Sequence, residues 1–199
     1  MSIESFDLFN PPSDFIDNVY KYYNLLRENS PIHKNSDGSY ILTSYKDLVG
    51  VYRNFKIWSS DKKTEFGAKF GSSPLFEHHT TSVVFVDPPD HTRIRKIFQQ
   101  AFTPKSILGL EKDINKLVDG YLVMMREKKK FDFVSDFSFR LPVDVVCSVL
   151  GIPSEDRHLI RDWAHKILGA LEPKLTPKQF DEGSSAVINF KQYLKDQIK

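Results

Sequence analysis

Residues 87–104, DPPDHTRIRKIFQQAFTP, constrain what this chain can fold into more than any other stretch. A proline pair stands before a helical pattern. Asp87 is a suitable N-cap, Pro88 fits the first helical position, and Asp90 places an acid in the first turn. Ile94, Ile97, Phe98, Ala101 and Phe102 then recur with the period of a helix that packs along one face. At about 100° per residue, His91 and Arg95 lie roughly 40° apart and flank Ile94 and Phe98, whereas Arg93 and Lys96 point elsewhere. The pattern therefore predicts His91 and Arg95 on the buried side of the helix. A cation there needs an anion, because an unpaired buried charge is expensive. The sequence offers no carboxylate near Arg95, so a bound acidic ligand would fill the role.

The same stretch closely resembles the helix that follows the substrate loop in soluble, bacterial-type cytochromes P-450. There the pattern reads D-P-P-(D/E)-H-T-R-(L/I)-R, with A-F-T-P a few residues on. The resemblance implies that His91 and Arg95 bind the two haem propionates. Their chemistry agrees, since a guanidinium fork and an imidazole are suitable donors to carboxylates.

Other segments extend the likeness over the whole chain. Pro31-Ile32-His33 and 38–43 resemble the family's first hairpin, with Asp37-Gly38 as its turn. Residues 44–49 resemble the short helix after it, and Trp58-Ser59-Ser60-Asp61 the end of that helix. Residues 141–153, LPVDVVCSVLGIP, follow the family's L-P-x-x-V-I-C-x-L-L-G-V-P run, an internal helix with a Gly-Pro exit. Against this stand the family motifs that do not occur in the sequence: the Cys-ligand loop F-x-x-G-x-x-x-C-x-G, the oxygen-activating (A/G)-G-x-(D/E)-T, and E-x-x-R. The expectation is the amino-terminal half of the cytochrome P-450 fold, an incomplete single domain over 1–199 that ends in the helix over the haem roof. The one cysteine, Cys147, lies in an apolar helical run, where it behaves as a small buried hydrophobe rather than a metal ligand.

The fold class expected is mainly α with a small β-hairpin (α+β). An amphipathic helix is predicted over 13–28, and a long one after Thr103-Pro104 carrying Leu110, Ile114, Leu117, Val118, Tyr121, Leu122 and Met125. Its closing Lys128-Lys129-Lys130 reads as a solvated cap on the helix dipole. Phe131-Asp132-Phe133-Val134 alternates and is expected as a short strand. Residues 154–171 form a helix with Ser154 as cap, and Thr176-Pro177 opens the last one. The stretch 62–85 is expected as a long irregular loop, with His78-His79 on its surface and no metal site. The resemblance implies that this loop sets substrate specificity and that Val84, with neighbours Val83 and Phe85, faces substrate. A plain core role for those three stands nearly level.

A net charge of +2 gives no nucleic-acid footprint. No apolar run is long enough for a membrane span, residues 1–7 carry no signal-peptide pattern, and a lone cysteine fits the reducing cytoplasm. Nucleotide-phosphate loops and the G-x-S-x-G elbow are absent from the sequence. The resemblance implies a haem-thiolate monooxygenase, an oxidoreductase that inserts one oxygen atom from O2 into a small apolar substrate. Electrons would come from a ferredoxin-type donor docking near Arg93 and Lys96. No catalytic residue of that chemistry falls among these 199, so activity of the chain alone is not expected. Two alternatives stand beside it: a truncated, inactive remnant, and a non-enzymatic helical ligand-binding protein.

Overall fold

The structure is a computed structural model and describes residues 3–172 and 175–198. It is mainly helical, with one two-stranded sheet among the described residues, as the residue pattern predicts. The chain divides into two compact units, Met1–Ser59 and Ser60–Lys199.

In the first unit, helix α1 (Val19–Asn29) is followed by β1 (Ile32–Lys34), β2 (Tyr40–Leu42) and α2 (Tyr45–Arg53). The strands run antiparallel with His33 opposite Ile41. Their turn has Gly38 at φ 87°, a left-handed conformation that favours glycine, and the Asp37 carboxylate accepts the Ser39 N–H at 2.9 Å. Phe6, Phe15 and Leu26 form the core, with Val19, Tyr22 and Ile41 against it. His33 is buried there, its Nε2 donating to the Phe6 carbonyl at 2.7 Å and its Nδ1 accepting from the Ser30 hydroxyl at 3.2 Å. α1 begins later than 13–28 implied. A separate single turn occupies Ile16–Asn18, and Asn18 leaves helical geometry at φ −131°. Trp58 also lies beyond the helix it was expected to close, because α2 ends at Arg53.

The second unit holds α3 (Lys63–Phe70), α4 (Pro74–Thr81), α5 (Asp90–Ala101), α6 (Pro104–Gly109), α7 (Glu111–Glu127), α8 (Arg140–Val149), α9 (Arg157–Gly169) and α10 (Pro177–Gln197). The antiparallel pair α9 and α10 forms its centre. One cluster gathers Phe66, Phe70, Leu75, Ile167, Ala170, Ala186 and Val187, and a second gathers Cys147, Ile152 and Ile160. Trp163 and Phe190 touch both. α10 opens as expected: Thr176 accepts the Gln179 N–H, and the Gln179 side chain accepts the Thr176 N–H at 2.9 Å.

Four expectations fail here, each for a local reason. The stretch 62–85 is two short helices joined by Gly71, not an irregular loop, because Ser73 caps α4 with Pro74 in its first turn. His79 is accordingly not on a surface loop. It is 2% exposed, packed between Phe66 and Phe70. Residues 131–134 form no strand. Asp132 accepts the Ser135 N–H at 2.7 Å and Asp136 the Asp132 N–H at 3.1 Å, closing a wide helical turn over Val134–Ser138. Lys128 is not merely solvated, since its Nζ lies 2.7 Å from buried Asp136. Smaller shifts follow the same logic. The helix after Thr103-Pro104 is α6 and α7 with Leu110 between them, and Ser154 opens a separate turn before α9 rather than capping it.

Candidate functional site

α5 starts at Asp90 with Pro89 in the cap position, two residues later than an Asp87 cap would place it. The Asp87 carboxylate accepts the Ser60 N–H at 2.8 Å instead, while its carbonyl accepts the His91 N–H at 3.0 Å. The helical register that pairs His91 with Arg95 is nevertheless intact. Arg93, on the opposite side, donates to Asp90 at 3.2 Å. The side chains of His91 and Arg95 have neither hydrogen bond nor ion pair among the described residues.

The face that carries them is open. Arg95 is exposed and His91 half-buried, with Ile97 63% and Phe98 52% exposed on the same helix. This corrects the expected buried side: beyond the Val83–Phe85 turn, little of the described structure lies against α5. The side chain of Ala101, part of the predicted stripe, falls outside the described residues.

The three residues expected to face substrate separate by role. Phe85 meets Phe66 edge to face at 5.1 Å and joins the core cluster. Val83 is half-buried, and Val84 is 64% exposed just before α5. Cys147 is fully buried in α8, where burial raises its thiol pKa. Among the described residues no cluster of three or more His, Cys, Asp or Glu could hold a metal ion. No described helix is long and apolar enough to cross a membrane.

Sequence reasoning misses a polar network between α7, α8 and α9. The Tyr121 hydroxyl donates to Asp144, and burial with that carboxylate pushes the phenol up to about 12. Arg161 lies 3.9 Å from the other Asp144 oxygen, and Arg157 donates to the Ser148 hydroxyl at 2.9 Å. Its signal in the sequence is slight: two four-residue spacings, Arg140 to Asp144 and Arg157 to Arg161, in neighbouring helices.

Comparison with known proteins gives this arrangement its context. A Bacillus subtilis (strain 168) cytochrome P450 is 30% identical over 192 residues, covering 93% of this chain and 46% of the relative. The biotin biosynthesis cytochrome P450 of the same organism is 27% identical over 190 residues, covering 94% and 48%. The crystal structure of P450BioI with an acyl carrier protein ligated to hexadec-9Z-enoic acid superimposes with a TM-score of 0.83 at 27% identity, over 94% of this chain and 49% of that one. No family model matches. The chain has the fold of the amino-terminal half of a bacterial cytochrome P450. It spans about half the length of the curated relatives it matches.

The haem that cytochromes P450 bind can be tested against the residues present. A dianionic edge bearing two carboxylates calls for cationic or N–H donors that are not already engaged. His91 and Arg95 meet that need, whereas Arg93 is occupied by Asp90. The donor set fits.

Proposed function

We propose that this chain forms the amino-terminal part of a haem-thiolate cytochrome P450 monooxygenase, with His91 and Arg95 holding the haem propionates. The observation that carries the reading is the unengaged His91 and Arg95 pair on one face of α5, beside an Arg93 that is engaged. Arg95 offers a planar fork suited to bidentate contact, and His91 a single ring N–H. Bound haem would supply the oxygen chemistry, the insertion of one atom of O2 into a C–H bond. The chain's own part is to bind, orient and exclude water. Exposed Val84, with Val83, gives an apolar wall to a small apolar substrate, while Phe85 fixes the turn to the core. An acyl group on a carrier protein, the ligand of one structural relative, belongs to that substrate class.

Lys96 and Arg93 are exposed cations on α5 where an acidic, ferredoxin-type electron donor could dock. In this reading the protein is cytoplasmic, and the proximal thiolate is not Cys147, which is buried in a helix. The chain by itself would then turn over no substrate. The deciding experiment is co-expression with the carboxy-terminal half of the Bacillus subtilis relative. The carbon monoxide band that names the family should appear with both halves and in neither alone. Its absence from a folded, co-purifying pair would overturn the proposal.

A further inference from the structure

We propose that the groove between α7, α8 and the start of α9 binds a phosphate monoester. The groove holds about 390 Å³ and is lined by Lys116 from α7, Arg140 and Asp144 from α8, and Arg157 and Arg161 from α9. One carboxylate thus faces four cations. The neighbouring acids are taken: Asp136 by Lys128 at 2.7 Å, and Asp156 by the Tyr193 hydroxyl at 2.8 Å. Asp144 is itself shared: its Oδ2 accepts from Tyr121, while its Oδ1, buried without a hydrogen bond, lies 3.9 Å from Arg161.

The guanidinium groups are themselves under-satisfied. The Nε atoms of Arg140, Arg157 and Arg161 are all buried without a partner. Arg140 makes no ion pair among the described residues, and the Arg161 side chain is only 19% exposed. Holding like charges together out of water is costly unless an anion joins them.

The ligand class follows from charge and size. Lys116 is paired with exposed Asp113 at 3.4 Å and Asp144 offsets one guanidinium, so two positive charges remain over. A phosphate monoester, with about −1.5 to −2 at neutral pH and three acceptor oxygens, matches them better than a single carboxylate. The groove also has room for more than an oxyanion. Leu117 and Met124 line the α7 wall and give an organic substituent an apolar surface.

The test uses the 199-residue chain and needs no haem, so it stands apart from the reading above. Phenyl phosphate, inorganic phosphate, and benzoate as a monoanionic control are titrated at matched ionic strength, followed by calorimetry. Saturable binding in the order phenyl phosphate, phosphate, benzoate is expected. Arg140→Gln should weaken phenyl phosphate by about tenfold or more, the scale of one charge-assisted hydrogen bond. The unliganded fold is kept because Arg140 has no hydrogen bond or close ion pair to lose among the described residues, only a longer-range attraction to Asp136. Asp144→Asn should tighten it. Should Arg140→Gln fail to fold, exposed Lys116→Gln reads the same loss. Binding no stronger than the ionic-strength control, or unchanged affinity in the folded glutamine variant, would overturn the proposal.

Discussion

Gly183 of α10 lies against Leu75 of α4 so closely that a Cβ built on it would stand 3.3 Å from both Leu75 methyl carbons and 3.3 Å from the Ala170 Cβ. Leu75 is fully buried and Ala170 only 1% exposed, so neither can readily give way. Gly183→Ala should therefore destabilise, although alanine is the better helix former. An overpacking cost of about 1–3 kcal/mol set against a propensity gain of about 1 leaves a net loss of roughly 1 kcal/mol. Gly120, mid-α7 with nothing within 4 Å of its would-be Cβ, is the control. Gly120→Ala should gain up to about 1 kcal/mol in urea denaturation. Two variants moving in the same direction would contradict the packing argument.

His79 predicts a pH dependence. Burial, with His78 and Lys69 nearby, pushes its pKa down to about 4 from 6.5. The unfolded chain then takes up a proton near 6.5 that the folded chain refuses. Stability is full above 6.5 and falls as the pH drops toward about 4, by on the order of 3 kcal/mol. His79→Phe keeps an aromatic ring among Phe66, Phe70 and Phe85 and should flatten that decline in melts across the range.

Asp136 acts lower on the pH scale. The Lys128 ammonium, then the Asp132 N–H, hold its carboxyl below the ordinary 3.8. Its contribution is present above 3.8 and is lost as the pH falls through its lower folded value. Asp136→Asn should be less stable at neutral pH yet lose less on acidification. Parallel acid-unfolding curves for variant and parent would show that the Lys128 contact carries no weight.

The isolated chain should bind an apolar-surface dye and self-associate. Ile97, Phe98, Leu108 and Val84 are each more than half exposed, at 63%, 52%, 73% and 64%. Exposed apolar surface on this scale favours association. Sedimentation at several concentrations should show mass rising with concentration; a dye-silent monomer would mean that these side chains find cover by rearrangement.

What could be read from the residues was what repeats or punctuates. The Asp37-Gly38 turn, the Thr176-Pro177 helix start and the buried Cys147 all follow from local rules, and the structure has each. The misses arose where a side chain chose a partner that no pattern announces. Asp87 turns to the Ser60 N–H rather than capping α5, and Asp136 draws 132–136 into a turn although Phe131 to Val134 alternates as a strand would. His79 was misplaced because Ser73 and Pro74 start a helix within a stretch rich in loop formers. At the site, the His91 and Arg95 register was legible from helical spacing alone. Whether that face is covered was not, because burial depends on neighbours that periodicity does not specify.

The last prediction rests on that register. In a haem-loaded assembly of this chain with a carboxy-terminal half, Arg95→Ala should speed haem loss to apomyoglobin by about tenfold or more, the scale of one charge-assisted hydrogen bond. His91→Ala should have a similar or smaller effect, since an imidazole donates one bond where a guanidinium can donate two. Arg93→Ala should change little: that side chain lies about 160° around the helix from Arg95. It also already contacts Asp90 at 3.2 Å in an exposed pair. Such pairs contribute at most about 1 kcal/mol to the fold. Arg95→Lys should recover only part of the loss, because an ammonium is a point charge without the planar fork. Equal haem-loss rates for Arg95→Ala and Arg93→Ala would remove α5 from the propionate site, whatever else the assembly binds.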